Sequence, residues 1–492
     1  MNAQRNFPFS DRIHHLPRLR CAFLLVALPA FAAGVSGRAH AQQAPPAAAA
    51  PAPDRRELPA SQAQKVNVLK PVPGGLTADE VARRALRSAP SVRGKLAELD
   101  AALAKTDQAV GRLLPRLTGR ASYVRLSPVA SNLGGGFVIR SIDNNYSLSA
   151  NLTVPISDYV LNVQHVAGGA AAGKAAAEQA VRAEKLKVQA DARELYYNWL
   201  RSSGQVAIAQ ASLETTRARL KEADAAASLG AITKADLMRL QALEANTELF
   251  VKDAQTQHAT LEQQLAIVMN DRKGGPYGIG ENLDRRPAQL LGGSLPALLE
   301  RAFSRRLELR ALGHTVEALR HGADLVRSGR YPRLEAFGDV TYANPNQRYF
   351  PPSQNWNTTW SVGVSATWTV GDALVQNASA SELDANARSV EAQQEAARDG
   401  IRLEVTATYQ RRERALVAME TSRRALDAAE EAYRVAADLY RVGKSTTAEL
   451  IDAESDLLSA RLGDIDARIG LRLAENRLRH AVGEDTGGEK LN

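Results

Sequence analysis

Aromatic side chains are scarce in this sequence, at 5% of 492 residues, and cysteine occurs once, at Cys21. A chain so poor in large rigid side chains is not built to fill a thick globular core. Its wealth of Ala, Leu, Arg, Glu and Gln suits long helices packed side by side. Cys21 falls in a segment expected to be removed, so the mature chain has no thiol for a disulfide, a zinc-thiolate site or nucleophilic catalysis. No later stretch reaches the roughly 20 apolar residues that a spanning helix needs. An excess of one charge is missing too. Of the formal +8, residues 1–41 carry five Arg against one Asp, which leaves +4, and no basic cluster is interleaved with aromatics. That excludes a nucleic-acid partner. His165, His258, His314, His321 and His480 show no zinc-binding spacing, there is no Gly-x-Ser-x-Gly turn, and Gly134-Gly135-Gly136 lacks the strand-helix context of a phosphate loop. Neither an enzyme nor a cofactor or metal site is expected.

What is present begins with an export signal. Arg5, Arg12, Arg18 and Arg20 precede an apolar run over 21–35, and Ala39-His40-Ala41 supplies a small-x-small cleavage pattern. Residues 42–75, with Pro45, Pro46, Pro51, Pro53 and an alanine run, read as a disordered leader. Thr77-Ala78-Asp79-Glu80 then forms a capping box opening a helix that is expected to run to about Leu114.

The chain overlays on itself. At an offset of 217, Ala85-Leu86 to Leu114-Pro115-Arg116-Leu117 matches Ala302-Phe303 to Tyr331-Pro332-Arg333-Leu334. At an offset of 213, Val206, Leu213, Leu220, Gly230, Thr233 and Asp236 match Met419, Leu426, Tyr433, Gly443, Thr446 and Glu449. The expected organisation is a signal peptide over 1–41, the leader over 42–75, a first repeat over 76–270, a linker over 271–295, a second repeat over 296–485 and a tail over 486–492. Each repeat is a helix-strand-strand-helix unit.

In each copy one stretch alternates with period two. Tyr146, Leu148, Ala150, Leu152, Val154 and Ile156 alternate with small polar residues, as do Trp360, Val362, Val364, Ala366, Trp368 and Val370. Such runs, near 146–156 and 359–370, match tilted strands that cross a bilayer with apolar residues outward and polar residues toward a wet lumen. Trp356, Trp360 and Trp368 suit the interfaces. Partner strands are expected near 117–126 and 334–342, where Arg120, Arg125, Glu335 and Asp339 must face water. A soluble sandwich strand alternates in the same way and stays an alternative for any one strand.

Long helical patterns follow, over about 163–228 and 374–442. Val181, Val188 and Leu195 repeat by seven, a four-residue step leads to Trp199, and the sevenfold repeat resumes at Val206. A stutter of this kind partly unwinds a supercoil, as in a cylinder of nearly straight helices. Each rod meets Gly230 or Gly443, reverses, and returns from Asp236 or Glu449.

On this order of elements, on Ser88-Ala89-Pro90-Ser91-Val92 and Leu113-Leu114-Pro115-Arg116-Leu117, and above all on the run from Tyr440-Arg441-Val442-Gly443 through Glu449-Leu450-Ile451-Asp452-Ala453, the chain resembles the TolC family of outer-membrane efflux proteins. The resemblance implies a mainly α fold with a membrane β-barrel portion: a homotrimer whose twelve strands close one barrel in outer-membrane lipid, continued by a long periplasmic α-helical barrel. It implies a passive conduit working with an inner-membrane transporter and a periplasmic adaptor, with small toxic compounds as cargo. A type I secretion duct for a polypeptide and a soluble periplasmic coiled-coil adaptor are the alternatives. It also implies a periplasmic gate, with Glu449 and Asp452 as stacked acidic rings and Asp236 and Tyr440 as a closing link. Adaptor contacts fall at Gly230, Thr233, Gly443, Lys444, Ser445 and Thr446. Well-known members have an arginine where this chain has Ser445, so a charged part of the latch is expected to be missing. For Glu449 and Asp236, helix-start carboxylates stabilised by the dipole are the competing reading. Intact-mass measurement of the exported protein is expected to place its first residue at Gln42; retention of residues 1–41 would make the segment an anchor.

Overall fold

The computed structural model describes residues 70–484 apart from 112, 129, 133–137, 141 and 284–289, all within the unit spanning Gln64–Asn492. The signal segment, most of the leader, Gly134-Gly135-Gly136 and the 486–492 tail lie outside the described residues. The first copy runs α1 (Ala78–Ser88), α2 (Pro90–Gly111), β1 (Arg116–Arg125), a small hairpin of β2 (Ala130–Asn132) and β3 (Val138–Arg140), β4 (Asn144–Val154), α3 (Ile156–Leu161), α4 (Val163–Ser228) and α5 (Lys234–Met269). The second runs α6 (Leu295–Arg305), α7 (Leu307–Ser328), β5 (Arg333–Asn344), β6 (Asn357–Thr367), α8 (Asp372–Arg441) and α9 (Thr447–Val482). The starts of α1, α2 and β1 lie 217 residues before those of α6, α7 and β5, whereas β4 and α5 lie 213 before β6 and α9. The four-residue difference therefore falls between the paired strands.

Two local expectations need correction. The helix expected to run unbroken toward Leu114 is divided at Ala89, whose backbone (φ −57°, ψ 116°) leaves the helical region. Pro90 disfavours helical ψ in the residue before it, but Arg306 breaks the second copy in the same way (φ −61°, ψ 118°) with no proline following. The break is thus a property of the repeat. The strands also end earlier than their alternation: Pro155 cannot donate to the ladder, so β4 stops at Val154, and β6 stops at Thr367, leaving Trp368 and Val370 beyond it.

The strands form one antiparallel sheet in the order β1-β4-β5-β6. Its register lines up Leu117, Leu152, Gly338 and Val362 on one face, and Thr118, Asn151, Asp339 and Ser361 on the other. The apolar face is the bare one: Trp360 is 69% exposed and Val362 77%, while Ser147, Ser149, Asn151 and Ser361 on the polar face are half-buried. This inverts the arrangement of a soluble sheet, where the apolar side is covered. Arg120, Glu335 and Asp339 share the polar face, and the Ser361 hydroxyl donates to the Asp339 carboxylate. Arg125 has instead the parity of the apolar face; it is the last residue of β1, beside Asn144. Phe337 lies over Gly363, where a Cβ would come within 2.8 Å of its ring. Aromatics collect at both strand ends. At one, Tyr342 stacks on Trp356 at 4.7 Å and Tyr123 lies 5.0 Å from Tyr146; at the other, Trp368 Nε1 donates to the Arg330 carbonyl at 3.1 Å.

Below the sheet the helices form a layer. Toward the hairpin tips the neighbours are α5, α4, α9 and α8 in that order; nearer the strands they are α2, α4, α7 and α8. At 1.5 Å per residue the 66 residues of α4 and 70 of α8 each extend about 100 Å. The main apolar core sits part-way along α4, where Tyr196, Trp199 and Leu200 meet Leu265, Ile469, Val81 and Ala85. The connection between copies wraps this level: Leu76 pairs with Ile279, the Glu281 carboxylate accepts from the Ala78 N–H at 2.7 Å, and the buried Tyr196 hydroxyl donates to the Leu76 carbonyl at 2.7 Å. Among the described residues no helix is long and apolar enough to cross a membrane.

Tyr196→Phe removes one of the two donors to that carbonyl, the Gly280 N–H remaining at 2.7 Å, a loss of about 0.5–1.5 kcal/mol. A lowered thermal midpoint by circular dichroism in detergent is expected; an unchanged midpoint would show that the clamp contributes nothing.

Candidate functional site at the hairpin tips

Both tips are built by the same backbone device. Gly230 (φ +72°) and Gly443 (φ +73°) take the left-handed conformation that ends α4 and α8. The Ala231 N–H reaches the Ala226 carbonyl at 2.9 Å and the Lys444 N–H reaches Leu439 at 2.9 Å, which satisfies carbonyls that a helix end otherwise orphans. Thr233 and Thr446 then cap the returning helices, their hydroxyls accepting from the N–H groups of Asp236 (3.1 Å) and Glu449 (3.2 Å).

The acids differ in what they are free to do. The Glu449 carboxylate accepts from the Ser445 hydroxyl at 2.6 Å and the Thr446 N–H at 2.8 Å, completing a capping box. These donors, Ser445 first, hold its pKa below the ordinary carboxylate value, so this exposed group stays ionised. Ser445, at the position where an arginine was expected to be missing, thus ties down the acid beside it. Asp452 is exposed and has no hydrogen bond or ion pair among the described residues. In the first tip Asp236 accepts from the Thr233 hydroxyl at 2.6 Å and from Arg239 at 3.4 Å. Arg239 stands where the second copy has Asp452, so the first tip neutralises its own acid and the second carries two uncompensated carboxylates.

Asp236 and Tyr440, expected as a closing link, are not joined by a hydrogen bond within the chain; the partners of Asp236 are Thr233 and Arg239, and Tyr440 is half-buried on α8. Lys444 is exposed. The link between the two hairpins lies further up and was missed in the sequence. Glu454 on α9 is buried; its Oε1 accepts from the Thr216 hydroxyl of α4 at 2.9 Å, and its Oε2 lies 3.6 Å from Arg219 Nε. Arg219 also donates to the Tyr433 hydroxyl of α8 at 2.6 Å. The signal was there: Glu454 interrupts the stripe of Leu450 and Leu457 at helical spacing, where a charge must find partners. Burial raises the pKa of Glu454, opposed by Thr216 and Arg219. No group of three His, Cys, Asp or Glu that could hold a metal occurs among the described residues.

A sheet with its apolar face outward, joined to long helical hairpins, defines the class of outer-membrane efflux channels. The chain belongs to the outer membrane efflux protein family, whose model matches residues 81–271 and 298–484. Similar solved structures include the outer-membrane channel OprN (20% identity, TM-score 0.71, covering 83% of this chain and 90% of that one). The CmeC outer membrane channel of Campylobacter jejuni (15%, 0.71, 83% and 85%) and the open state of the Neisseria gonorrhoeae MtrE outer membrane channel (20%, 0.67, 82% and 88%) are likewise similar. No curated protein sequence matches the chain.

A carboxyl whose pKa is raised in the fold binds its proton more tightly there than in the unfolded chain. Its contribution to stability is present at low pH and lost as pH rises through the raised value. The difference in melting midpoint between Glu454→Gln and the unaltered protein is therefore expected to shrink as pH falls from neutral toward 4.5, the ordinary value; a difference independent of pH would show that Glu454 does not titrate in this window.

Proposed function

We propose that this chain is the exit duct of a tripartite export system, a passive conduit for small toxic compounds driven by an inner-membrane transporter through a periplasmic adaptor. The observation that carries the reading is the inverted sheet. Its exposed face presents Leu117, Leu148, Leu152, Val340, Trp360 and Val362 to hydrocarbon, and its polar face presents Ser, Thr and Asn to water. Strands β1 and β6 are its two edges. An unpaired edge in lipid costs several kcal/mol per unsatisfied group, so four strands must be completed by other chains. Three copies supply twelve strands.

The polypeptide reaches the outer membrane through the signal over 1–41, cleaved after Ala41. At the far end, Gly230, Thr233, Gly443, Lys444, Ser445 and Thr446 form the surface offered to the adaptor. Glu449 and Asp452 gate the duct: three copies place two stacked carboxylate rings at its narrow end. The Glu449 capping box fixes that side chain's direction and the Asp452 carboxylate is free. Tyr440 and Asp236 meet, in this reading, between neighbouring hairpins of different chains.

Membrane fractionation is expected to recover the protein with the outer membrane, and recovery in the soluble periplasm would overturn the duct. Replacing Glu449 and Asp452 together by Ala is expected to weaken block of single-channel conductance by divalent cations at least several-fold; unchanged block would put the constriction elsewhere.

A further inference from the structure

The helix layer has two flanks, and they share a property that its middle lacks. Away from helix starts, large apolar side chains left exposed in the long helices occur on α2 (Leu96, Leu103, Val110), α5 (Met238, Leu249, Ile267) and α8 (Leu403, Val417, Val435, Leu439). None occurs on α7 or α9, nor on α4 beyond its first residue. Three of these bare residues have covered counterparts in the other copy. Leu403, 72% exposed, corresponds at the 213-residue offset to buried Ala190; Val417, 63% exposed, to buried Gly204; and Leu249, 62% exposed, to Leu462, which packs against the main core. Within one chain the first copy's α4 is closed by the second copy's α9. No element of the same chain closes α8 in that way.

Charge makes the occupant specific. Three ion pairs join α4 to α9: Arg201 with Asp466 (3.2 Å), Arg219 with Glu454, and Glu194 with Arg477. Carried across the duplication, the second becomes Ala432 with Gln241 and the third Ala407 with Gln264. The first keeps both charges, as Arg414 on α8 and Asp253 on α5. Both are exposed, and neither has an ion pair or hydrogen bond among the described residues. Arg414 opens onto the same cleft as Arg201 and Asp466, a cavity of about 700 Å³ floored by Gly463, Ala467 and Gly470. Arg201 pairs with an acid of the other hairpin; Arg414, at the equivalent position of α8, has no such second hairpin within the chain.

We infer that the α8 flank of one copy closes onto the α5 flank of a second copy of this chain, with Arg414 paired to Asp253 of that copy as Arg201 is paired to Asp466 within the chain. The inference rests on the proposed trimer and names the seam that closes it. Leu403 and Val417 are covered there by the second copy's α2 and α5, and a single ion pair sets the register.

Cys21 is the only cysteine of the sequence and precedes the expected cleavage site, so introduced thiols report alone. The full-length exported protein carrying Arg414→Cys with Asp253→Cys, treated in detergent with a short thiol cross-linker, is expected to give covalent dimer and trimer bands. The control pair Arg201→Cys with Asp466→Cys is expected to cross-link within the monomer. Light scattering of the unaltered protein separates the two ideas. Trimers without cross-linked bands overturn this seam and leave the duct standing, whereas monomers overturn the trimer itself. As a second variant, Arg414→Asp alone is expected to shift the trimer toward monomer at least several-fold and the exchange Arg414→Asp with Asp253→Arg to restore it; equal behaviour of the single and exchanged variants overturns the pairing.

Discussion

Backbone amides and carbonyls have no water to turn to in hydrocarbon, and that one constraint orders the rest of this structure. A four-stranded sheet with apolar residues on its exposed face satisfies the condition between its strands and fails it at β1 and β6. The helices repeat the situation in side-chain form: α4, α7 and α9 are covered, while α2, α5 and α8 keep bare apolar residues. Strand edges and helix flanks are open on the same two sides of the chain, the first copy forming one side and the second the other. On the proposed trimer, the same addition of further copies completes both levels.

Duplication makes such closure economical. Because α4 and α9 already meet across the boundary between copies, the contact needed across the boundary between chains has a template inside the chain. The template is not copied in full. Its buried Glu454, held by Thr216 and Arg219, corresponds across the duplication to Gln241, with Ala429 and Ala432 in place of its two partners, so on the proposed closure no carboxylate is buried at that position. Removing a buried charge while keeping the helical spacing avoids the penalty of an acid whose partner arrives only on assembly.

Much of the fold was legible because its signals are periodic. Alternation marked β4 and β6 within two or three residues, and the stuttered heptads marked α4 and α8, since these patterns reflect which face is covered and persist over tens of residues. What stayed hidden was local or non-local in a way that period does not record. The breaks at Ala89 and Arg306 recur at equivalent positions of the repeat, and only the first has a proline to announce it. The strands of the β2–β3 hairpin have three residues each, too few to carry a pattern. At the tips the sequence located Asp236, Glu449 and Asp452, but not which of them is held by its neighbours and which is not. Ser445 read as an absent arginine, whereas its hydroxyl holds Glu449 in the capping box.

The two seams differ in polar content, and that difference bears on how a tunnel of this kind can open. Within a chain the hairpins are tied by Thr216 and Arg219 to a buried carboxylate, by Arg219 to Tyr433 and by two further ion pairs. Separating them exposes Glu454 and breaks bonds made in a poorly solvated place, where each is worth more than at the surface. Between chains, on the proposed closure, one exposed ion pair and a strip of apolar side chains remain, and exposed pairs contribute little. Hairpins of one chain should then move together, with displacement concentrated between chains. On the proposed gate, Glu449 and Asp452 sit on the second hairpin of each pair, so such a motion carries both acids together with the self-neutralised Asp236 and Arg239 of the first hairpin.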